Sequence, residues 1–488
     1  MPQSRCAARC RHCHGVSRRS FLSSASAAVL SAPLLARAQA AADRAVRPVE
    51  RKGPGARCTP SVKACFVRRK GDYGMRWPGA VYDGEAARKK YTGQIQAAAK
   101  ELGLELDLRP QPIYSDKEAD AWVAEAREAK PDGLLVVLLD RQRHAWPTAY
   151  KAVDTKLPTV IFSPVGSSFT TNTGRLSNKP GCFIASTDDF AQARYGLKML
   201  EAGTRMRAAR CIVLRGSKEA EATMHHLGIT LHYLPARLYL DAYRKTSVDP
   251  EVEAMADDYM RRARRQAGAS REDVLNGARG YVAARSLLEE HQADAITMDC
   301  LGAVGPTKLS LPCLAWSNLN DQGVPAACEA DLGAVASHTL VQYLFERPGF
   351  QQDPVAETAR VAIIGAHCSC PTRLKGFGQP PEPFDLVHHH GMRDATARPL
   401  WKKGQRVTSV DVLPSGKGQP SMLISAGQVV GNVDVPPAGG CVVSVMVKFD
   451  GVEDVLGYPG FHQIFFYGDL RRELEQFCQL FGIRARVV

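Results

Sequence analysis

Apolar and polar positions follow two different rhythms along the chain. Between about residue 60 and residue 375, short apolar runs such as KACFVRR (63–69) and DGLLVVLLD (132–140) predict strands. They alternate with segments of helical periodicity, such as GEAARKKYTGQIQAAAKELG (84–103). Apolar strands that alternate with amphipathic helices are typical of parallel sheets covered on both faces. This part of the chain therefore predicts an α/β region of two doubly wound units.

The pattern changes after Pro371. Residues 384–456 carry many Gly and Pro and short runs of period two, such as GQRVTSVDVLP and GGCVVSVMVKF. Such runs predict antiparallel strands and hairpins, in a small barrel or a sandwich. The amphipathic segment GDLRRELEQFCQLFGI then predicts a closing helix, and RARVV a final strand. We therefore predict a C-terminal, antiparallel β-rich domain over residues 376–488.

The N-terminal segment has the features of an export signal. In SRRSFLSSASAAVLSAPLLARAQA, the pair Arg18-Arg19 precedes a short run of Ala, Ser and Leu, and two A-x-A sites follow. This order resembles a twin-arginine signal peptide, the alternative being a basic N-terminus without such a role. We predict a signal over residues 1–40, a polar linker over 41–60, and export to the periplasm or beyond. The apolar run is too short to span a bilayer, so stable membrane insertion is not expected.

Composition narrows the choice of partners. The chain has 488 residues and a formal net charge of +13, of which the first forty residues carry six arginines and no acid, leaving +7. The rest has no long Lys/Arg block, so nucleic acid is not an expected partner. No phosphate-binding Gly-rich motif follows a strand. Four cysteines in apolar contexts are interpreted as small buried residues: Cys300, Cys313, Cys328 and Cys441.

Two carboxylates stand out in an otherwise apolar segment. Glu329 and Asp331 lie two positions apart in LPCLAWSNLNDQGVPAACEADLGAV (311–335). Charged side chains are rarely buried without a partner. On a strand the two would share one face and point into a cleft at the carboxyl end of the sheet. The alternative is that Asp331 caps a helix that begins at Leu332.

Two segments resemble one enzyme family. LNDQGVPAACEADL (319–332) and GFHQIFFYGDLRRELEQFCQLFGI (460–483) resemble the metal-binding segments of the L-fucose/L-arabinose isomerase superfamily. The resemblance covers residues 60–488. It implies two Rossmann-like domains, over residues 61–195 and 196–375, before the β-rich domain. It also implies a homo-oligomer with its active sites between subunits.

The resemblance also implies a reaction and its residues. The family interconverts aldoses and ketoses with a divalent metal, Mn²⁺ for this chain, that holds two sugar oxygens and stabilises an enediolate. Glu329 and Asp331 would be catalytic, and Asp331 and His462 would bind the metal. The family's first ligand, a glutamate, falls at Ala303 here, and Asp299 at the end of the same strand could replace it. The alternative for His462 is a core histidine in an aromatic strand.

Further polar residues follow predicted strands. They are candidates for hydrogen bonds to sugar hydroxyls, or are loop residues without such a role: His367, Arg373, His388, His389 and His390. Residues 388–390 would alternate faces on a strand, so at most two could converge on one ligand.

Two functions follow from these observations. The first is a metal-dependent carbohydrate enzyme, an aldose–ketose isomerase that acts on a free sugar. The alternative is a non-catalytic, exported sugar-binding protein derived from the same fold. Ala303 favours the alternative, because it removes a carboxylate that the reaction requires.

Overall fold

The computed structural model describes most of the chain. It covers residues 46–71, 74–76, 81–141, 143–389, 392–414, 418–435 and 441–488. The predicted signal peptide and His390 lie outside these residues. Residues 48–488 pack as one unit.

The elements alternate as the sequence pattern predicts up to residue 345. The helices are α1 (Pro54–Arg57), α2 (Gly84–Leu102), α3 (Asp116–Ala129), α4 (Ala145–Val153), α5 (Thr170–Thr173), α6 (Phe190–Ala208), α7 (Arg237–Lys245), α8 (Pro250–Arg262), α9 (Arg271–Glu290), α10 (Cys300–Ala303), α11 (Cys313–Asp321), α12 (Leu332–Phe345) and α13 (Arg471–Phe481). The strands are β1 (Ser61–Val67), β2 (Gly74–Arg76), β3 (Val81–Asp83), β4 (Glu105–Leu108), β5 (Gly133–Leu138), β6 (Thr159–Ser163), β7 (Cys182–Ser186), β8 (Arg210–Leu214), β9 (Ala220–Thr223), β10 (Thr230–Leu234), β11 (Arg265–Ala267), β12 (Ala295–Met298), β13 (Ala326–Cys328), β14 (Phe350–Glu357), β15 (Ala362–His367), β16 (Phe384–His389), β17 (Arg393–Pro399), β18 (Arg406–Leu413), β19 (Ser421–Asn432), β20 (Val443–Phe449), β21 (Gln463–Tyr467) and β22 (Arg484–Val487).

The first sheet is parallel throughout, with the strand order β4-β1-β5-β6-β7. Successive residues of β1 point to opposite faces of the sheet. Val62, Ala64 and Phe66 pack with residues of α2 and α6 on one side. Cys65 and Val67 pack with residues of α3 and α4 on the other. A strand buried on both faces explains the uninterrupted apolar runs of this region.

The second sheet places the carboxyl ends of β12 and β13 side by side. Its order is β13-β12-β8-β10-β9, parallel except for β9, which runs antiparallel to β10. Met298 of β12 is in register with Cys328 of β13. The next residues, Asp299 and Glu329, therefore follow neighbouring strands at the carboxyl edge of the sheet, where α/β proteins bind ligands.

The C-terminal part forms a closed antiparallel barrel of six strands, in the order β18-β21-β14-β15-β20-β19, which the pairing of β19 with β18 closes. This confirms the predicted antiparallel β-rich region, and α13 and β22 close the chain as predicted. The barrel includes β14 and β15, which precede the predicted boundary at residue 375. A short buried strand has the same apolar pattern in a parallel sheet and in a barrel, so periodicity alone did not separate them.

A third, small sheet joins the two regions: β16 pairs with β11 in parallel and with β17 in antiparallel orientation. The described part of the chain is thus a mixed α/β protein with parallel sheets and a closed six-stranded barrel. Within that part, no helix combines the length and the apolar character needed to cross a membrane.

Candidate functional site

The turn after β13 carries the two carboxylates of the CEAD segment. Glu329 and Ala330 have left-handed backbone angles, with φ of 62° and 54°. The amide of Ala330 donates to the carbonyl of Met298 at 2.9 Å, which folds the chain over the end of β12. The expectation that Glu329 and Asp331 share the face of a strand is therefore wrong, because β13 ends at Cys328. Consecutive non-glycine residues in this conformation are strained, and such strain concentrates at functional sites.

Asp331 caps the following helix, as the alternative interpretation of this residue predicted. Its Oδ1 accepts a hydrogen bond from the amide of Ala334 at 2.7 Å, at the first turn of α12. Its Oδ2 lies 3.0 Å from Nδ1 of His462. Burial raises the pKa of Asp331, but His462 and the helix amides together lower it below its usual value. One carboxylate thus both starts a helix and orients an imidazole.

His462 lies directly before β21 and is surrounded by carboxylates. Its Nε2 is 3.1 Å from Oδ1 of Asp353 and 3.7 Å from Oε2 of Glu329. The residue is 4% exposed and has a left-handed φ of 53°. Burial lowers its pKa, but Asp331 and Asp353 outweigh that effect and raise it to about 10. Without a bound metal ion, these neighbours therefore favour the protonated form of the imidazole.

His367 is the last residue of β15 and faces the same place. Its Nε2 is 3.6 Å from Oε1 of Glu329, and its ring centre is 5.5 Å from that of His462. Both ring nitrogens of His367 are buried, and neither has a hydrogen-bond partner among the described residues. The His367 ring in turn lowers the pKa of Glu329. We call Glu329, Asp331, Asp353, His367 and His462 the acid–histidine cluster.

The sequence patterns did not predict two residues near the cluster, Asp353 and His338. Asp353 lies on β14, and no sequence pattern showed that this strand pairs beside β15 and β21. His338 lies on α12, seven residues after Asp331, and both of its buried ring nitrogens lack a partner within the described chain. Burial and His367 lower the pKa of His338 to about 3. A spacing of seven residues places His338 on the same helix face as Asp331, a signal that could have identified it.

Other predicted site residues make contacts elsewhere. Asp299 caps the short helix α10 by accepting from the amide of Gly302 at 3.0 Å. Arg373 donates to the carbonyl of Gln379 at 2.8 Å. Nε2 of His388 lies 3.2 Å from Oδ2 of Asp273.

His389 points away from His388, as alternation along β16 predicts. Its ring faces Cys313 and Cys368 in the interior.

The structure does not bring the three predicted metal ligands, Asp299, Asp331 and His462, together as one set. Glu329, His367 and His462 are gathered instead, with ligand atoms within 4.8 Å of one another.

One exposed aromatic side chain borders the cluster. Phe461 is 59% exposed, and its ring centre is 4.4 Å from that of His462. An exposed aromatic ring beside buried charged groups forms a surface that can contact a ligand with one polar and one apolar face.

No protein-family model and no curated protein matches the chain. The solved structures that are similar to it have low sequence identity and low TM-scores. One is a periplasmic solute-binding protein of an ABC transporter from Actinobacillus succinogenes 130z with bound D-allose (12% identity, 55% of this chain and 77% of that chain, TM-score 0.18). Another is a sugar ABC transporter protein from Yersinia enterocolitica subsp. enterocolitica 8081 (13% identity, 61% and 82%, TM-score 0.20). A third is a sugar-binding protein of a sugar ABC transporter from Bacillus halodurans (14% identity, 59% and 86%, TM-score 0.18).

The predicted membership of the isomerase superfamily and the isomerase function are corrected here, because neither the protein-family models nor the curated proteins support them. The structure adds a physical reason: Ala303 supplies no carboxylate, and Asp299 serves as a helix cap. TM-scores of 0.18 to 0.20 are too low to carry an argument about this chain, so its function is argued from the site alone.

Proposed function

We propose that this chain is an exported, non-catalytic sugar-binding protein and that the acid–histidine cluster holds the sugar. The observation that carries the proposal is His367, whose two buried ring nitrogens have no hydrogen-bond partner among the described residues. Buried polar groups normally have partners, so such atoms point to a ligand. Sugar hydroxyls both donate and accept, which suits imidazoles next to carboxylates.

Phe461 supplies the apolar half of the proposed site. The exposed ring adjoins His462, so a sugar held by the cluster would place its C–H face on the ring. Contacts of this kind add affinity without adding a reactive group.

The state of the two carboxylates predicted to be catalytic, Glu329 and Asp331, supports binding without catalysis. Moving a proton between two sugar carbons requires a base whose pKa lies near the working pH. The pKa values of Glu329 and Asp331 are lowered from their usual values, which makes both carboxylates weaker bases. Asp331 is also engaged by Ala334 and His462.

We propose Glu329, His367 and His462 as the ligands of a divalent cation, the cofactor that the sequence predicts. Their ligand atoms lie within 4.8 Å of one another, and the two imidazoles are buried. A cation held there would take the place of direct hydrogen bonds from the two imidazoles, which would then be neutral, and would bind sugar hydroxyls at its free coordination positions. The identity of the ion as Mn²⁺ stays a prediction.

The finer predictions about the whole chain also belong to this proposal. We propose that the two parallel sheets form separate Rossmann-like, doubly wound domains, an arrangement supported by the helices on both faces of the first sheet. Residues 1–40 would direct export to the periplasm. Homo-oligomerisation and the domain boundaries stay predictions.

Isothermal titration calorimetry with a panel of aldoses and ketoses tests the proposal. We expect saturable binding of at least one sugar and about fivefold weaker binding by Phe461→Ala, since aromatic contacts contribute on the order of 1 kcal/mol. Leu456→Ala is the matched control: it removes another exposed apolar side chain of the same loop and should leave the affinity unchanged. NMR of the mixture should show the sugar unconverted. Conversion of the sugar, or no binding by any member of the panel, would overturn the proposal.

A further inference from the structure

A second group of potential ligands lies in the interior, outside the acid–histidine cluster. Cys313 begins α11, Cys368 follows β15, and His389 ends β16. The two sulfur atoms and one ring nitrogen lie within 4.8 Å of one another, and all three residues are buried. We call these residues the thiol–histidine cluster. They come from three separate elements, so their proximity is a product of the tertiary fold.

A fourth thiol adjoins the cluster. Cys441, two residues before β20, interacts with the thiol of Cys368. Cys441 therefore lies where it can extend the three-residue set by one thiol.

The backbone separates this cluster from the acid–histidine cluster. His367 and Cys368 are consecutive residues at the end of an extended strand, so their side chains point in opposite directions. His367 faces Glu329, whereas Cys368 faces Cys313 and His389. The end of β15 thus contributes one residue to each cluster. The acid–histidine cluster offers oxygen and nitrogen atoms, whereas the thiol–histidine cluster offers mainly sulfur.

We propose that Cys313, Cys368 and His389 bind one zinc-class metal ion, with Cys441 as the fourth ligand. Three thiolates and one imidazole are a ligand set that Zn²⁺ takes in closed, tetrahedral structural sites. On binding, each coordinating thiol loses its proton to solvent, and no electron is transferred. The ion would tie α11, β15, β16 and the start of β20 together behind the sugar site. This proposal is independent of the sugar-binding function.

Cobalt substitution of the exported chain tests the proposal. Co²⁺ bound by thiolates gives a sulfur-to-metal charge-transfer absorption in the near ultraviolet that nitrogen and oxygen ligands do not give. We expect one zinc ion per chain as purified and a charge-transfer band after exchange. Cys313→Ser and His389→Gln should each weaken metal binding by about tenfold or more. Cys478→Ala, a buried thiol outside the cluster, and Glu329→Gln, in the other cluster, should keep the band.

Thermal unfolding keeps the test informative if a variant folds poorly. In chains that also carry Glu329→Gln, to weaken the other cluster, added zinc should raise the unfolding temperature of the metal-free protein and of Cys478→Ala, but not that of His389→Gln. The proposal is overturned if the wild type gives no charge-transfer band, if the band persists in Cys313→Ser and His389→Gln, or if mass spectrometry finds Cys313 disulfide-bonded in the chain as purified.

Discussion

Asp331 shows how a single residue links local structure to the site. Its two carboxylate oxygens have separate tasks: Oδ1 starts α12 through Ala334, and Oδ2 orients His462. A neutral amide could still accept the hydrogen bond of the helix cap, but it would carry no charge to stabilise a protonated imidazole. The two tasks can therefore be separated by substitution.

We predict that Asp331→Asn, which loses only the charge beside His462, lowers the free energy of unfolding by less than Asp331→Ala, which also loses the cap and with it about 1–2 kcal/mol. Chemical denaturation measures both. Equal losses in the two variants would show that the cap contributes little.

In the same Asp331→Asn variant, freed of metal by a chelator, the pKa of His462 should fall from about 10 towards its ordinary value. The direction follows because a carboxylate next to the ring favours its charged form. An NMR titration of the ring protons measures the change. An unchanged pKa would mean that Asp353 and Glu329 alone hold the proton.

Among the elements, β16 pairs a strand of the α/β region with a strand of the C-terminal part of the chain. It pairs with β11 and β17 and carries His388 and His389 at its end. Asp385 of β16 is fully buried and bonds the guanidinium groups of Arg264, Arg265 and Arg398. Burial raises the pKa of Asp385, but the three arginines outweigh it and lower the pKa to about 2.

We predict that this network stabilises the fold by about 1–2 kcal/mol at neutral pH, because solvent around the half-exposed Arg264 and Arg265 screens part of the interaction. Since the folded pKa is depressed, the contribution is present above about pH 4 and disappears as the pH falls towards 2. Asp385→Asn should therefore be destabilised at pH 7 and differ less from the wild type at pH 3.

Asp434→Asn is the control, because Asp434 also pairs with Arg398 but is 94% exposed. Denaturation of Asp434→Asn at the same two pH values should match the wild type. A loss in Asp385→Asn that stays constant with pH would contradict an ionic origin.

The elements also show what sequence patterns can establish. Alternating apolar strands and amphipathic helices correctly predicted the α/β region, and runs of period two predicted the antiparallel barrel. The patterns did not assign β14 and β15 to the barrel or show that β13 ends at Cys328. Strand partners depend on contacts between distant segments, which apolar periodicity does not encode.

At the scale of the whole molecule, the site lies where a parallel sheet meets the barrel. Glu329 comes from the edge of the second sheet, whereas Asp353, His367 and His462 come from barrel strands or their ends. The sequence predicted Glu329 and Asp331 as candidate site residues because they are carboxylates in an apolar segment. It predicted His367 from its position after a strand and His462 from the family resemblance. It did not identify Asp353 or His338, or the partner of His389, since those depend on how the two regions pack.

Export of the chain is also a prediction at this scale, and it concerns residues outside the described structure. If residues 1–40 are a twin-arginine signal, Arg18→Lys combined with Arg19→Lys should leave uncleaved precursor in the cytoplasm. Immunoblotting of cytoplasmic and periplasmic fractions measures it. Normal cleavage of the doubly substituted chain would remove the claim.

The crystal structure of the chain with the sugar that binds most tightly in calorimetry tests the central claim most directly. We predict an unconverted sugar within hydrogen-bond distance of His367, His462 and Glu329, with its ring against Phe461. A different groove of about 430 Å³, lined by Ser168, Phe169 and Gln476 at the first sheet, is the competing location. A sugar found there, with none at the acid–histidine cluster, would contradict the account.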